Sequence, residues 1–167
     1  MKISIKHLRD GLHTFNFVET AASCGLPDHP SLKSDVEVRV EVEKSSPNFF
    51  VTNHVRTVGR FECDRCLDEF SRSVEEKSTA VFSSAPDMIE RADEDIHPLT
   101  KDAVEIDITS DVRDALLLAV PIKAVCRPDC KGLCPSCGAD LNKEECHCGP
   151  PLRDARWAAL DKFLEKS

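Results

Sequence analysis

The sequence predicts an α+β protein: a mainly antiparallel sheet, one or two helices, and a C-terminal cysteine-rich lobe resembling a zinc ribbon. Three observations carry that prediction. Residues 35–43 alternate strictly, with Val36, Val38, Val40 and Val42 against Glu37, Arg39, Glu41 and Glu43, which is the period of a half-buried strand. Helical spacing recurs only at residues 110–120 and 153–165. Six of the nine cysteines fall between residues 126 and 148.

Each element has its own signal. Ile3 with Ile5, and Phe15 with Phe17, predict two strands near the N-terminus. The strand at 35–43 ends at a turn marked by Pro47-Asn48, and Phe49-Phe50-Val51 begins the next extended run. Val55–Phe61 and Phe70–Phe82 read as neighbouring strands joined by the turn Cys63-Asp64-Arg65-Cys66. Val104, Ile106 and Ile108 alternate with Glu105, Asp107 and Thr109, a short strand. Ser110 is the candidate N-cap of a helix, with Asp111 and Asp114 at its positive end. Val112, Ala115, Leu116, Ala119 and Val120 form its apolar face, and Pro121 stops it. A last helix is expected over Arg153–Glu165, with Trp157, Leu160 and Leu164 along one stripe. The expected organisation is a core domain over 1–125 with the central cysteine turn, a zinc-ribbon-like lobe over 126–150, and a helix within 151–167 packed on the core.

With 41% hydrophobic and 31% charged residues, the 167-residue chain is a globular composition rather than a disordered one. Its longest apolar run, Ala115–Val120, falls far short of the ~20 residues that span a bilayer. The opening Met-Lys-Ile-Ser-Ile-Lys-His has no apolar h-region, so no secretory signal or membrane role is expected and the reducing cytoplasm is the expected compartment.

The net charge of −8 is unevenly spread. Residues 1–60 hold 8 Lys/Arg against 7 Asp/Glu, residues 61–110 hold 5 against 14, and residues 111–167 hold 9 against 9. Eight metal-bound thiolates and two divalent ions would take the whole to about −12. General polyanion binding is thereby disfavoured, because it rests on neutralising phosphates with cations. The acidic middle, densest at residues 86–95, is an exposed solubilising loop or a docking surface for a basic protein.

In a reducing compartment, clustered cysteines are metal ligands more often than disulfides. Cys134-Pro135-Ser136-Cys137-Gly138 is the strongest local signal: a tight turn brings two thiolates to one metal. Cys146 and Cys148 close that quartet across a ribbon loop at Leu141–Glu144, with His147 as a variant ligand. Cys63, Cys66, Cys126 and Cys130 remain for a second, long-range quartet that would tie the mid-chain hairpin to the C-terminal loop. Two structural Zn²⁺ ions are the expected cofactors, and an iron–sulfur cluster on either quartet is the alternative thiolate chemistry. A redox role for Cys63-x2-Cys66 expects a βαβ context, and strand signals lie on both sides instead. Cys130-x3-Cys134-x2-Cys137 has radical-SAM spacing, but too little chain follows it for a barrel. Cys24 and the scattered histidines show no ligand spacing. No nucleophile elbow, phosphate loop or dinucleotide fingerprint is present, and four-cysteine sites are closed, so no enzymatic activity and no small-molecule substrate are expected.

Three stretches together carry a resemblance. They are Phe61-Glu62-Cys63-Asp64-Arg65-Cys66-Leu67, the run Cys126-x3-Cys130-Lys131-Gly132-Leu133-Cys134-Pro135-x-Cys137-Gly138-x-x-Leu141-Asn142 with Cys146-x-Cys148, and Asp154-x-Arg156-Trp157-x-x-Leu160. In combination and order they resemble the bacterial YceD family. Ala155 departs from the proline common there, which concerns only a helix start. The resemblance implies a ribosome biogenesis factor needed for accumulation of 23S rRNA of the large subunit. The expected partner is a large-subunit precursor, or a basic ribosomal protein met by the acidic middle of the chain. Direct rRNA contact is the competing reading, resting on Lys131, Lys143, Arg153 and Arg156. A thiol redox or metal-handling protein is the third.

Overall fold

A computed structural model describes residues 1–86 and 96–149. Among these residues the elements follow in order: β1 (Lys2–Ser4), β2 (Gly11–Glu19), β3 (Val36–Ser45), β4 (Asn48–Glu62), β5 (Glu69–Ser83), β6 (Ile96–Pro98), β7 (Glu105–Asp107) and the helix α1 (Thr109–Ala119). A five-stranded sheet has the order β2-β3-β4-β5-β6, and β1 pairs with β7 in a second, two-stranded sheet. Pairing is antiparallel for β1–β7, β2–β3 and β3–β4, and parallel for β5–β6. The mainly antiparallel α+β architecture is therefore the one the alternation predicts.

The alternation fixes which face is buried. Val36, Val38, Val40 and Val42 are each at most 1% exposed, and the glutamates between them face out or lie half-buried. Across β4 the same inner face carries Val51 and Val55. Burying a valine fully contributes roughly 1.5–3 kcal/mol relative to leaving it exposed, so this strip is a substantial part of the core. Ile3 from β1, Ile106 from β7, Ile108 ahead of α1, and Val112, Ala115 and Leu116 from α1, which lies against β5, add to the same core. Two buried polar side chains are paired, while Asn53 Oδ1 on the inner face has no hydrogen-bond partner among the described residues. Thr57 Oγ1 donates to the Asp35 carbonyl at 2.8 Å, and Ser83 Oγ donates to Asn48 Oδ1 at 2.6 Å.

Several boundaries differ from expectation. Phe49–Val51 and Val55–Phe61 are one continuous 15-residue strand: between them Thr52 and His54 occupy outward positions of an unbroken alternation, and the inward Asn53 is buried with its Nδ2 donating to Ser78 Oγ at 3.3 Å. Ser110 is not the N-cap: α1 begins at Thr109 after Ile108. Asp107 Oδ1 accepts both the Thr109 N–H (2.9 Å) and the Thr109 hydroxyl (2.6 Å), so the turn is closed before Ser110 is reached. The helix ends as expected, with Val120 extended ahead of Pro121.

The chain resolves into two compact units. The first is Met1–Phe61 with Glu69–Ala124, and holds both sheets and α1. The second joins Glu62–Asp68 to the chain from Val125 onward, so the central cysteine turn belongs with the C-terminal cysteines. The expected helix at 153–165 and nearly all of the acidic stretch 86–95 lie outside the described residues.

Candidate metal centres

Both candidate centres lie in the second unit. Two turns of identical hydrogen bonding present the first pair of thiols in each. In one, the Cys63 N–H donates to the Asp68 carbonyl and the Leu67 N–H to the Cys63 carbonyl, each at 2.9 Å. In the other, the Cys134 N–H donates to the Ala139 carbonyl at 2.8 Å and the Gly138 N–H to the Cys134 carbonyl at 2.9 Å. The residue after the second cysteine takes left-handed backbone in both, at φ 61° for Leu67 and 76° for Gly138. Glycine adopts that conformation freely; leucine does so at a cost.

The eight cysteines gather into Cys63, Cys66, Cys126 and Cys130, and Cys134, Cys137, Cys146 and Cys148, with the four sulfurs of each group within 4.8 Å of one another. Cys63 Sγ lies 3.9 Å from Cys130 Sγ, and Cys66 Sγ lies 3.8 Å from Cys126 Sγ. A tetrahedron of Zn–S bonds of ~2.3 Å has sulfur–sulfur edges of about 3.8 Å, so the first group fits such an ion closely. The second is tighter, at 3.3 Å between Cys146 and Cys134 and 3.5 Å between Cys137 and Cys146. It is also more open, with Cys137 and Cys148 exposed, whereas three of the four cysteines in the first group are buried. Donor number, type and spacing allow each group to hold a thiophilic metal ion.

Thiol electrostatics agree with that reading. Burial raises the Cys63 thiol, but the backbone N–H groups of Cys126, Cys66 and Arg65 outweigh it and bring it down to about 6. Cys134 is lowered to about 6 by the N–H groups of Cys137 and Ser136. Their neighbours move the other way. At Cys66 the Asp68 N–H favours the thiolate, yet burial and the adjacent thiols push it up to about 12. Cys148 rises to about 12 against Cys146 and Cys137. Four touching sulfurs thus ionise unequally on their own, and a divalent cation is what lets all four be thiolates together.

Asn142 joins the ribbon loop to the first group. Asn142 Oδ1 accepts from the Lys131 N–H (2.8 Å) and the Arg127 guanidinium (2.9 Å). Its Nδ2 donates to Asp140 Oδ1 (2.7 Å) and to Cys130 Sγ (3.5 Å). Arg65 reaches from the first turn to the Cys130 carbonyl at 2.8 Å, and its own carbonyl accepts the Leu133 N–H at 2.9 Å. Gly132, at φ 76°, makes that approach feasible: a Cβ there would lie 2.8 Å from the Arg65 carbonyl oxygen. Lys143 is ion-paired to Asp68 (2.7 Å) and Asp140 (3.1 Å), which raise its pKa and occupy a cation that sequence reading offers to RNA. Arg153 and Arg156 lie outside the described residues.

Asn142, Arg65 and Leu67 are the residues that spacing did not single out. Asn142 had one signal, the Asp140-x-Asn142 pattern of a side-chain-supported turn. Cys24 is buried and belongs to neither group, and burial raises its thiol pKa. No helix among the described residues is long and apolar enough to cross a membrane.

Comparison with known proteins gives a consistent picture. Residues 51–164 match the family model described as large ribosomal RNA subunit accumulation protein YceD. An uncharacterized protein of Mycobacterium tuberculosis is 36% identical over 132 residues, covering 77% of this chain and 62% of that protein. The chloroplastic large ribosomal RNA subunit accumulation protein YCED homolog 1 of Arabidopsis thaliana is 28% identical over 165 residues, covering 83% of this chain and 51% of that one. Its Zea mays counterpart is 51% identical over a shorter stretch of 47 residues. The chain thus spans between half and two thirds of the longer of these relatives' own length. No solved structure matches it significantly. Because the family match takes in both cysteine groups and most of the chain, the protein belongs to the YceD family.

Proposed function

We propose that the protein is a non-enzymatic factor supporting accumulation of large-subunit ribosomal RNA, 23S in a bacterial setting, and that two structural Zn²⁺ ions hold its second unit together. Cys63, Cys66, Cys126 and Cys130 hold one ion; Cys134, Cys137, Cys146 and Cys148 hold the other. The carrying observation is the family match over residues 51–164, which contains all eight thiols. Four protein ligands per ion leave no open position for water or substrate, so the metals organise structure and do not activate a nucleophile.

The partner is a basic protein of the large-subunit pathway, met in the cytoplasm or its organellar equivalent. Residues 61–110 hold 14 acidic against 5 basic side chains, and a field of that sign speeds encounter with a cationic surface. Among the described residues of the second unit, Lys143 is engaged by Asp68 and Asp140, and Arg127 by Asn142 and Asp129. Affinity capture from lysate, with and without RNase, tests this reading, paired with sedimentation against large-subunit precursors. Nuclease-resistant capture of a basic ribosomal protein is expected. Capture abolished by nuclease would transfer the role to direct rRNA binding.

A further inference from the structure

The two edges of the five-stranded sheet differ. One ends in β6, three residues closing on Pro98, which has no N–H to offer. The other is β2, nine residues long and paired over its whole length with β3 in an unbroken register from Gly11↔Lys44 to Glu19↔Val36. Its outer edge takes no backbone hydrogen bond from any other described segment. Among the described residues the strand itself carries none of the usual protections: β2 has no lysine, no proline and no bulge, and its one acidic or basic side chain among Asp, Glu, Lys and Arg is Glu19 at the last position. Leu12 and Val18, on the outer face, are 66% and 69% exposed.

We infer that the edge of β2 is a homodimer interface, on which a second copy of this chain adds its own β2 antiparallel about a two-fold axis at Phe15. The argument is the sequence of the strand itself. A two-fold axis perpendicular to the sheet keeps inner residues opposite inner ones, so only registers pairing odd with odd and even with even are open. Centred on Phe15, that register sets Leu12 against Val18, Thr14 against Asn16, His13 against Phe17 and Phe15 against itself. Apolar meets apolar on the outer face, polar meets polar beside it, and the partly buried Phe15 and Phe17 extend the inner face. Moving the centre to Thr14 sets Leu12 against Asn16; moving it to Asn16 sets Val18 against Thr14. The Phe15 register pairs nine residues, giving roughly eight to ten backbone hydrogen bonds, and turns two five-stranded sheets into one of ten strands. A second copy satisfies the pattern because β2 is complementary to itself.

Sedimentation equilibrium of the full chain over a wide concentration range tests this, with circular dichroism and zinc content read on every variant. The wild type should approach twice its 18.6 kDa mass as concentration rises. L12K/V18K places like charges opposite one another at both outer pairs and should weaken the dimer roughly tenfold or more. L12E/V18K places opposite charges there and should restore it, which only the register centred on Phe15 does. Both positions are solvent-exposed in the monomer, so the substitutions should leave the fold and the metal content intact. A wild type monomeric at every concentration, a dimer indifferent to L12K/V18K, or a dimer that L12E/V18K fails to restore would overturn the inference. The first of these is also the result expected if residues 150–167 of the same chain cover the edge.

Discussion

Asn142 uses all four of its hydrogen-bonding positions, two as acceptor and two as donor, and one of them ends on a thiol of the first cysteine group. Such outer partners set the orientation and basicity of a ligand, and their removal typically costs ~10–100-fold in metal affinity. Asn142→Ala should therefore lower Zn²⁺ affinity at the first group by about tenfold while all eight thiols remain, as measured by competition with a chromophoric chelator. An unchanged affinity would reduce Asn142 to a loop residue. Asp107 gives the residue-scale pH dependence. Burial acts to raise its pKa, but the hydroxyl and N–H of Thr109 prevail and hold it below the ordinary carboxylate value. A depressed folded pKa means that its contribution is present above the unfolded value of ~3.9 and is lost as pH falls through the folded one. Asp107→Asn should flatten the acid limb of the stability curve below about pH 4, seen in urea midpoints taken across that range.

The matched cysteine turns set up a comparison between elements. Leu67 and Gly138 hold the same position and the same left-handed backbone, and Leu67 is 56% exposed, so its side chain gives little burial in return. Leu67→Gly should stabilise the second unit by about 0.5–1 kcal/mol, the strain relieved exceeding the chain entropy added. Gly138→Leu should destabilise it by about 1–2 kcal/mol. Thermal midpoints of the zinc-loaded proteins distinguish the two, and equal shifts of one sign would refute the argument. The groups also differ in enclosure, and a chelator reaches exposed sulfurs first. Cys134→Ser should release one metal and raise hydrogen exchange around residues 132–141. Cys63→Ser should release the other and raise it in 62–68 and 126–130, the segments that group ties together. Exchange rising equally everywhere in both variants would refute separate centres.

For the whole molecule, metal and charge are the measurable quantities. Anaerobically purified protein should carry close to two Zn²⁺ per chain; iron with sulfide, or eight free thiols and no metal, would remove zinc from the account. Neutralising Asp93, Glu94 and Asp95 to Asn, Gln and Asn should slow association with the captured basic partner and weaken its salt dependence without changing metal content. Stopped-flow kinetics in low and high salt reads this directly, and unchanged rates would leave the acidic stretch a solubilising one.

Alternation by itself determined the valine strand and its mainly antiparallel setting, and spacing marked the eight clustered cysteines and suggested their division into fours. Four valines at period two leave one buried face, and paired cysteines at short spacing admit few partitions into fours. These are local patterns, and locality is what a sequence displays. Where α1 starts was decided by Asp107, whose carboxylate closes the turn on Thr109 before Ser110 can act. That the mid-chain turn joins the C-terminal cysteines as one unit depends on Arg65, Gly132 and Leu133 meeting across more than 60 residues of chain. The work of Asn142, the engagement of Lys143 and the edge of β2, unpaired among the described residues, likewise follow from which groups the fold brings within hydrogen-bonding distance. A linear sequence carries no record of such meetings, because each depends on the geometry of every segment between the partners.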